Sequence, residues 1–180
     1  MDNDLLILIK AAKTGDKEAF GNIYRLFYEP IYRFIYYLVY EPNLAKDLTQ
    51  ETFLKLWKAI PKFKTENGNL KAYLYMIARN LVIDHKRQKS ELSLNDDIPI
   101  TNNKEMVEQL QVKDQNQILY KSLNMLESSE KQILILRYFE ELPMAEIALI
   151  MNKNESTIRV RVHRLLKKLR QNLKIFRYEH

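Results

Sequence analysis

The stretch ELPMAEIALIMNKNESTIRVRVHR, residues 141–164, decides how this chain is read. It opens as a short helical run, breaks over residues 152–154 and resumes as a helix crowded with cations. At about 100° per residue, Ile158, Val162, Leu165, Leu166 and Leu169 form one apolar stripe, opposite Arg159, His163, Arg164, Lys167 and Arg170. A helix-turn-helix needs a small residue where its helices cross, a left-handed residue at the turn and a β-branched anchor in the second helix. Ala148, Asn152 and Ile158 hold those places, with Ile147 and Met151 as inward partners. Asn is one of the few residues besides Gly that accepts the left-handed turn. Val160 falls in the middle of the basic face: it either meets a thymine methyl on the floor of a major groove or is an ordinary exposed valine.

Composition limits the alternatives. The 180 residues, 46% of them hydrophobic, are enough for one ordinary domain or two small ones with real cores. With no cysteine, disulfides and thiolate metal sites are excluded. The N-terminal MDNDLLILIKAAKTGDK begins acidic and has only five consecutive apolar residues, so it does not read as a signal peptide, and no run reaches the length of a membrane span. The expected location is the cytoplasm. Three scattered histidines, no glycine-rich phosphate loop and no paired carboxylates in an apolar setting leave no catalytic constellation, and neither a metal nor another cofactor is expected.

The net charge of +6 is unevenly spread: residues 62–90 carry 7 basic and 2 acidic side chains, residues 91–130 carry 3 and 8, and residues 151–180 carry 9 and 2. Two basic blocks flanking an acidic middle suit a protein that neutralises phosphates at two places, although Lys/Arg-rich helices also serve solubility alone.

Helical periodicity fills most of the chain, and no strand alternation appears. Residues 16 to about 40 read as a helix capped by Asp16, with Phe20, Ile23, Tyr24, Phe27, Ile31, Phe34, Ile35 and Leu38 in register. A second helix spans about 43–60 and is expected to stop at Pro61; a third runs from about 70 to 88. After a polar stretch, Ser128 or Ser129 is expected to cap a helix through Tyr138. The fold class is all-α: two small helical domains, residues 1–90 and 112–180, joined by an acidic linker, 91–111.

On the 43–60 helix, Ala45, Thr49, Thr52, Phe53, Leu56, Trp57 and Ile60 make the buried side, and Asp47, Gln50, Glu51, Leu54 and Lys58 share the other. A leucine ringed by carboxylates and an amide suits a protein contact, because a DNA-facing surface would not carry Asp47 and Glu51; a solvated face with one stray leucine fits the periodicity equally.

Three strings in order, AKDLTQETFLKLWKAI, LKAYLYMIARNLVIDHKR and EIALIMNKNESTIRVRVHRLLKKL, closely resemble the extracytoplasmic function (ECF) sigma factors of bacterial RNA polymerase. The resemblance covers about residues 16–173. It implies that residues 1–90 open the −10 promoter element and residues 112–180 read the −35 element. The family's D-x-x-Q-E contact to the clamp coiled coil of core polymerase lands on Asp47, Gln50 and Glu51, with Leu54 and Lys58 beside them. Capturing an unstacked base calls for rings, amides and cations. The candidates are Phe63, Lys64, Asn67, Asn69, Lys71, Tyr73, Tyr75, Arg79, Asn80, Lys86 and Arg87. Of these, Tyr75, Arg79, Lys86 and Arg87 are placed outside the stripe Leu70, Leu74, Ile77, Ala78 and Leu81, while Tyr73 and Asn80 lie at its margin. Asp84 is expected to support a cation, and His85 to be packed and neutral.

For the −35 element the candidates are Thr157, Arg159, Val160, His163, Arg164 and Lys167. The likeness further implies core polymerase, promoter DNA and an anti-sigma factor, soluble or membrane-bound, as partners, no small-molecule substrate, and a linker whose Asp96 and Asp97 run near the RNA path. Three positions depart from the family pattern: Lys46 stands where an acid is common, Tyr73 where Trp is common, and Glu127 where Pro is usual. The competing reading is a dimeric helix-turn-helix regulator that is not a polymerase subunit.

Overall fold

The computed structural model describes residues 3–64, 68–95, 123 and 125–178, with backbone alone for 91–95 and 172–178. The candidate Asn67 and most of the acidic segment, including Asp96 and Asp97, lie outside the described residues. Among the described residues there is no strand, and no helix is long and apolar enough to cross a membrane. Contacts divide the chain into two units, Met1–Arg87 and Gln88–His180.

In the first unit, α1 (Asn3–Lys13) and α2 (Lys17–Val39) are joined by a tight turn with Gly15 at φ 93. Asp16 caps α2 as its side chain accepts from the Glu18 and Ala19 N–H groups, at 2.8 and 3.0 Å. α3 (Pro42–Ala59) begins with proline at its first position, where the missing N–H has no partner to lose, and Glu41 caps it. Pro61 does not end this helix abruptly. Ile60–Lys62 continues as one 3-10 turn, because a proline near the start of a tighter turn still satisfies its geometry. α1 packs against α2 and that turn, and α2 against α3. Ile23, Ile31, Phe34, Ile35, Ala45, Leu56, Leu74, Tyr75 and Ala78 are fully buried among these helices.

α4 (Leu70–Asn95) runs past the expected end near Gln88, since nothing in the sequence there breaks a helix. It is buried on Leu70, Leu74, Ile77, Ala78 and Leu81 as expected, and also on Ala72, Tyr75 and Val82, an arc much wider than one stripe.

In the second unit, α5 (Ser128–Leu134) opens out into a π turn, Ile135–Phe139, closed by Glu140 N–H donating to the Ile135 carbonyl at 3.0 Å. Neither Ser128 nor Ser129 is the N-cap. Glu127 takes that place, and its N–H donates to the Glu130 carboxylate at 3.1 Å, the backward half of a capping box. α6 (Met144–Met151) and α7 (Glu155–Tyr178) form the helix-turn-helix, with Asn152 left-handed at φ 51, ψ 53. The Lys153 N–H returns to the Ala148 carbonyl at 2.9 Å and the Asn152 N–H to the Leu149 carbonyl at 3.2 Å, the Schellman closure that satisfies the last carbonyls of α6. Ile147, Ala148, Met151 and Ile158 are all buried, as the motif requires.

Candidate polymerase and nucleic-acid interfaces

Three surfaces emerge from this scaffold. The first is on α3. Burial of Ala45, Leu48, Thr49, Thr52, Phe53 and Leu56 fixes the rotation of the helix, and Thr49 and Thr52 return their hydroxyls to the Ala45 and Leu48 carbonyls at 2.6 and 2.7 Å. Trp57 is half-buried, edge-on to Phe20 at 4.8 Å. The opposite face exposes Asp47, Gln50, Glu51, Leu54 and Lys58 together, with Leu54 59% accessible. Glu51 makes an i,i+4 pair with Lys55 at 3.4 Å, half-exposed on both sides and weak for that reason.

The second surface is the segment from Phe63 into α4. The Phe63 and Tyr73 rings meet at 5.5 Å and both are half-buried. Lys64 and Asn80 are exposed, while Lys71 and Arg79 are half-buried. Asn69 caps α4, its carboxamide oxygen accepting from the Ala72 N–H at 3.0 Å, so that oxygen is engaged before any base arrives.

Tyr75 corrects the reading of this helix. It is 0% exposed and edge-on to Phe34 at 5.2 Å, so its ring is core and not a platform for a base. α4 is buried over so wide an arc that the side opposite its main stripe is also covered at this level.

Further along, the Lys86 ammonium donates to the Leu38 carbonyl at 3.1 Å, and loss of water around it pulls its pKa down. Burial likewise lowers the pKa of Arg79, whose guanidinium reaches the Asn80 side-chain oxygen at 3.3 Å. Arg87 is exposed and lies 3.9 Å from Asp84, the supporting role expected of that carboxylate. His85 is half-buried rather than packed away.

The third surface is α7. Ile158, Val162 and Leu165 are buried, and Arg159, Val160, His163, Arg164 and Lys167 are exposed, with Thr157 half-buried. Val160 is 50% accessible within that basic face. Arg159 is paired with Glu155 through its Nε at 3.1 Å, a one-turn surface pair that phosphates would displace at little cost. Two cations were not picked out by the wheel. Arg161 and Lys168 flank the buried stripe and face Glu130, Lys168 at 2.9 Å. Their position beside the stripe was the available signal. Among the described residues no group of three or more His, Asp or Glu is placed to hold a metal.

The chain matches two family models in order: sigma-70 region 2 over residues 23–91 and sigma-70 region 4 over residues 116–169. It is 30% identical to the RNA polymerase sigma factor SigV of Bacillus subtilis, over 81% of this chain and 85% of that one. This chain belongs to the ECF sigma factors. Another relative is the ECF RNA polymerase sigma factor BldN of Streptomyces coelicolor, 31% identical over 92% of this chain; the alignment spans only 64% of BldN. The solved structure of the sigma factor RpoE of Bartonella quintana, in complex with the anti-sigma factor NepR, superposes with a TM-score of 0.70 at 26% identity, covering 87% of this chain and 97% of that one. This sigma factor thus carries its α3 and α4 surfaces in region 2 and its helix-turn-helix in region 4. A free-standing helix-turn-helix regulator accounts for the second unit but leaves the region 2 match unexplained.

Proposed function

We propose that this sigma factor docks on core RNA polymerase through Asp47, Gln50, Glu51, Leu54 and Lys58, reads the −35 element with α7 and captures an unstacked −10 base at the head of α4. One observation carries the proposal: a single chain presents a leucine-centred face of mixed charge, with Asp47, Gln50 and Glu51 beside the exposed Leu54, that suits a protein contact and, separately, a cationic recognition helix that attracts DNA. Residues 1–90 and 112–180 act as the two modules, and 91–111 as the linker between them.

The physical sequence of events follows. Arg159, His163, Arg164 and Lys167 neutralise phosphates and reach base edges while the α7 axis lies in the major groove, with Thr157 and Val160 at its floor. Core polymerase held on α3 fixes the distance to the −10 duplex. Phe63 and Tyr73 offer ring surfaces to the base that leaves the stack, and Lys64, Lys71, Arg79 and Arg87 track its phosphates. Asn67, Asn69 and Asn80 supply amide contacts. Lys86 serves α2 first and the DNA field second. Tyr75 has no part in base capture; it holds up the helix that performs it. Likeness to a sigma factor crystallised with its anti-sigma factor supports a regulatory partner of that kind, and the absence of a membrane-length apolar helix among the described residues is compatible with action in the cytoplasm.

The decisive experiment is reconstitution with core polymerase followed by sequencing of the bound and melted DNA. The expected product is a two-part motif with conserved spacing and permanganate-reactive thymines at the downstream part. Binding to DNA without core polymerase, as a dimer on a palindrome, would replace the sigma assignment of these surfaces.

A further inference from the structure

Lys13, in the last turn of α1, donates from Nζ to the backbone carbonyl of Phe63 at 2.6 Å, fifty residues away in sequence. That carbonyl has left the helical ladder. Phe63 follows the Ile60–Lys62 turn, its own N–H bonding back to Ile60 at 3.0 Å, and its backbone is extended at φ −66, ψ 128, which turns the carbonyl away from the helix. A carbonyl at a helix C-terminal end carries partial negative charge and lacks a donor, so an ammonium held there makes a charge-assisted bond.

The neighbouring contacts give that bond its reach. The Phe63 ring touches Tyr73 at 5.5 Å on one side. On the other it leaves no room beside Gly68: a Cβ there would sit 2.6 Å from the ring and 2.1 Å from the Lys64 carbonyl. Asn69 then fixes the far end by capping α4. Phe63 is therefore tied by Lys13 from a different helix, Asn69 is tied into the start of α4, and the Phe63 ring packs against both Gly68 and Tyr73.

We propose that Lys13 is a positioning residue for base capture: it sets where Phe63, Gly68 and Tyr73 meet, and so how the Phe63 and Tyr73 rings are presented to a base. The proposal rests on the reading that Phe63 and Tyr73 receive the −10 base. The bond goes to backbone, so it is independent of the side chains that would touch the base and acts on their placement only.

The test uses full-length protein assembled with core polymerase. Affinity is measured by fluorescence anisotropy on single-stranded −10 oligonucleotides carrying each of the four bases in turn at every position. Lys13→Met keeps the aliphatic stem and removes the donor. It is expected to lower affinity for the best oligonucleotide about tenfold and to flatten the preference among bases at one position, the scale of one lost charge-assisted bond. Co-purification with core polymerase and binding to −35 duplex stay at wild-type levels, and Lys13→Arg restores the preference. If Lys13→Met does not fold, Lys13→Gln, which retains a neutral donor, takes its place with the same expectation in smaller degree. Tyr73→Ala separates the two layers. Lowered affinity and preference in Tyr73→Ala with no change in Lys13→Met overturns the positioning role and leaves the base-capture reading intact. No change in either overturns the base-capture reading and the positioning role with it. An equal loss for all four bases in Lys13→Met, accompanied by a lower melting temperature, makes the bond purely structural and overturns the proposal.

Discussion

Lys168 Nζ donates to the Glu130 carboxylate at 2.9 Å, tying the recognition helix α7 to the first turn of α5 across 38 residues of sequence. The same carboxylate accepts from the Glu127 N–H, so a single side chain starts α5 and fastens it to α7. Burial opposes its charged form, but the bonds from Lys168 and Glu127 and the nearby charges of Lys168 and Arg161 outweigh that and lower its pKa. A carboxylate with a depressed folded-state pKa contributes stability that is present above its unfolded value, about 4.3, and is lost as pH falls through the folded value. Glu130→Ala is expected to destabilise the second unit by about 1 to 2 kcal/mol, the sum of a cap and a partly exposed ion pair, seen as faster hydrogen exchange in α5. Glu130→Gln removes the acid-side fall in melting temperature that this carboxylate causes below about pH 4. An unchanged acid limb in that variant assigns the fall to other groups.

The α3 face predicts a separation of binding from folding. Replacing Gln50 with Ala and Glu51 with Lys is expected to abolish co-purification with core polymerase while shifting stability by no more than about 0.5 kcal/mol, since both residues are exposed and only the weak Glu51–Lys55 pair is lost. Wild-type affinity in a competition assay removes this face from the polymerase contact.

Tyr75 and Tyr73 are two residues apart and are expected to behave oppositely. Tyr75→Ala empties a fully buried ring site against Phe34 and is expected to cost about 3 to 5 kcal/mol in urea unfolding. Tyr73→Ala, half-exposed, costs less stability and instead weakens single-stranded −10 binding. Equal stabilities for the two variants contradict the burial difference on which the pair is separated.

Those two tyrosines also mark where the sequence stops being legible. α2, α3, the helix-turn-helix and its Ala148, Asn152 and Ile158 were readable because each has one buried side, and a single apolar stripe fixes the phase of a helix. α4 is buried on Ala72, Tyr75 and Val82 as well as on its main stripe, and an amphipathic aromatic such as Tyr is compatible with either side. The cap of α5 is hard to read from the sequence for a related reason. Ser128 and Ser129 are good caps in isolation, but only Glu127 places Glu130 at the third helical position, where it can bond backward. Lys13 and Lys86 bond to carbonyls about fifty residues distant, 50 and 48, and no local pattern announces a partner so far along the chain.

The recognition helix separates base contacts from phosphate contacts. Arg164→Ala is expected to weaken promoter binding by about 1 to 3 kcal/mol and to relax selectivity at one position if its guanidinium reads a base. Lys167→Ala weakens all sequences alike and lowers the slope of log affinity against log salt by about 1, one released counterion. Equal losses on promoter and random duplex for Arg164→Ala make it a phosphate contact.

Val160, half accessible in the middle of the basic face of α7, gives the most selective test of that helix's orientation. An apolar side chain there finds only one apolar partner on the groove floor, the thymine methyl. Replacing the contacted thymine by uracil is expected to cost the wild type a fraction of a kcal/mol up to about 1, the scale of one buried methyl. Val160→Ala erases the difference between thymine and uracil while most affinity remains, because the surrounding cations hold the phosphates. Val160→Asp abolishes binding by placing a carboxylate in the negative field of the groove, and it leaves folding intact because the buried stripe is Ile158, Val162 and Leu165. Anisotropy on duplexes carrying uracil at one position at a time, with thermal melts of each variant, checks all three outcomes. Indifference of the wild type to every uracil makes the valine idle surface, whereas loss of the fold in Val160→Asp places it in a packed interior and rotates α7 away from the groove.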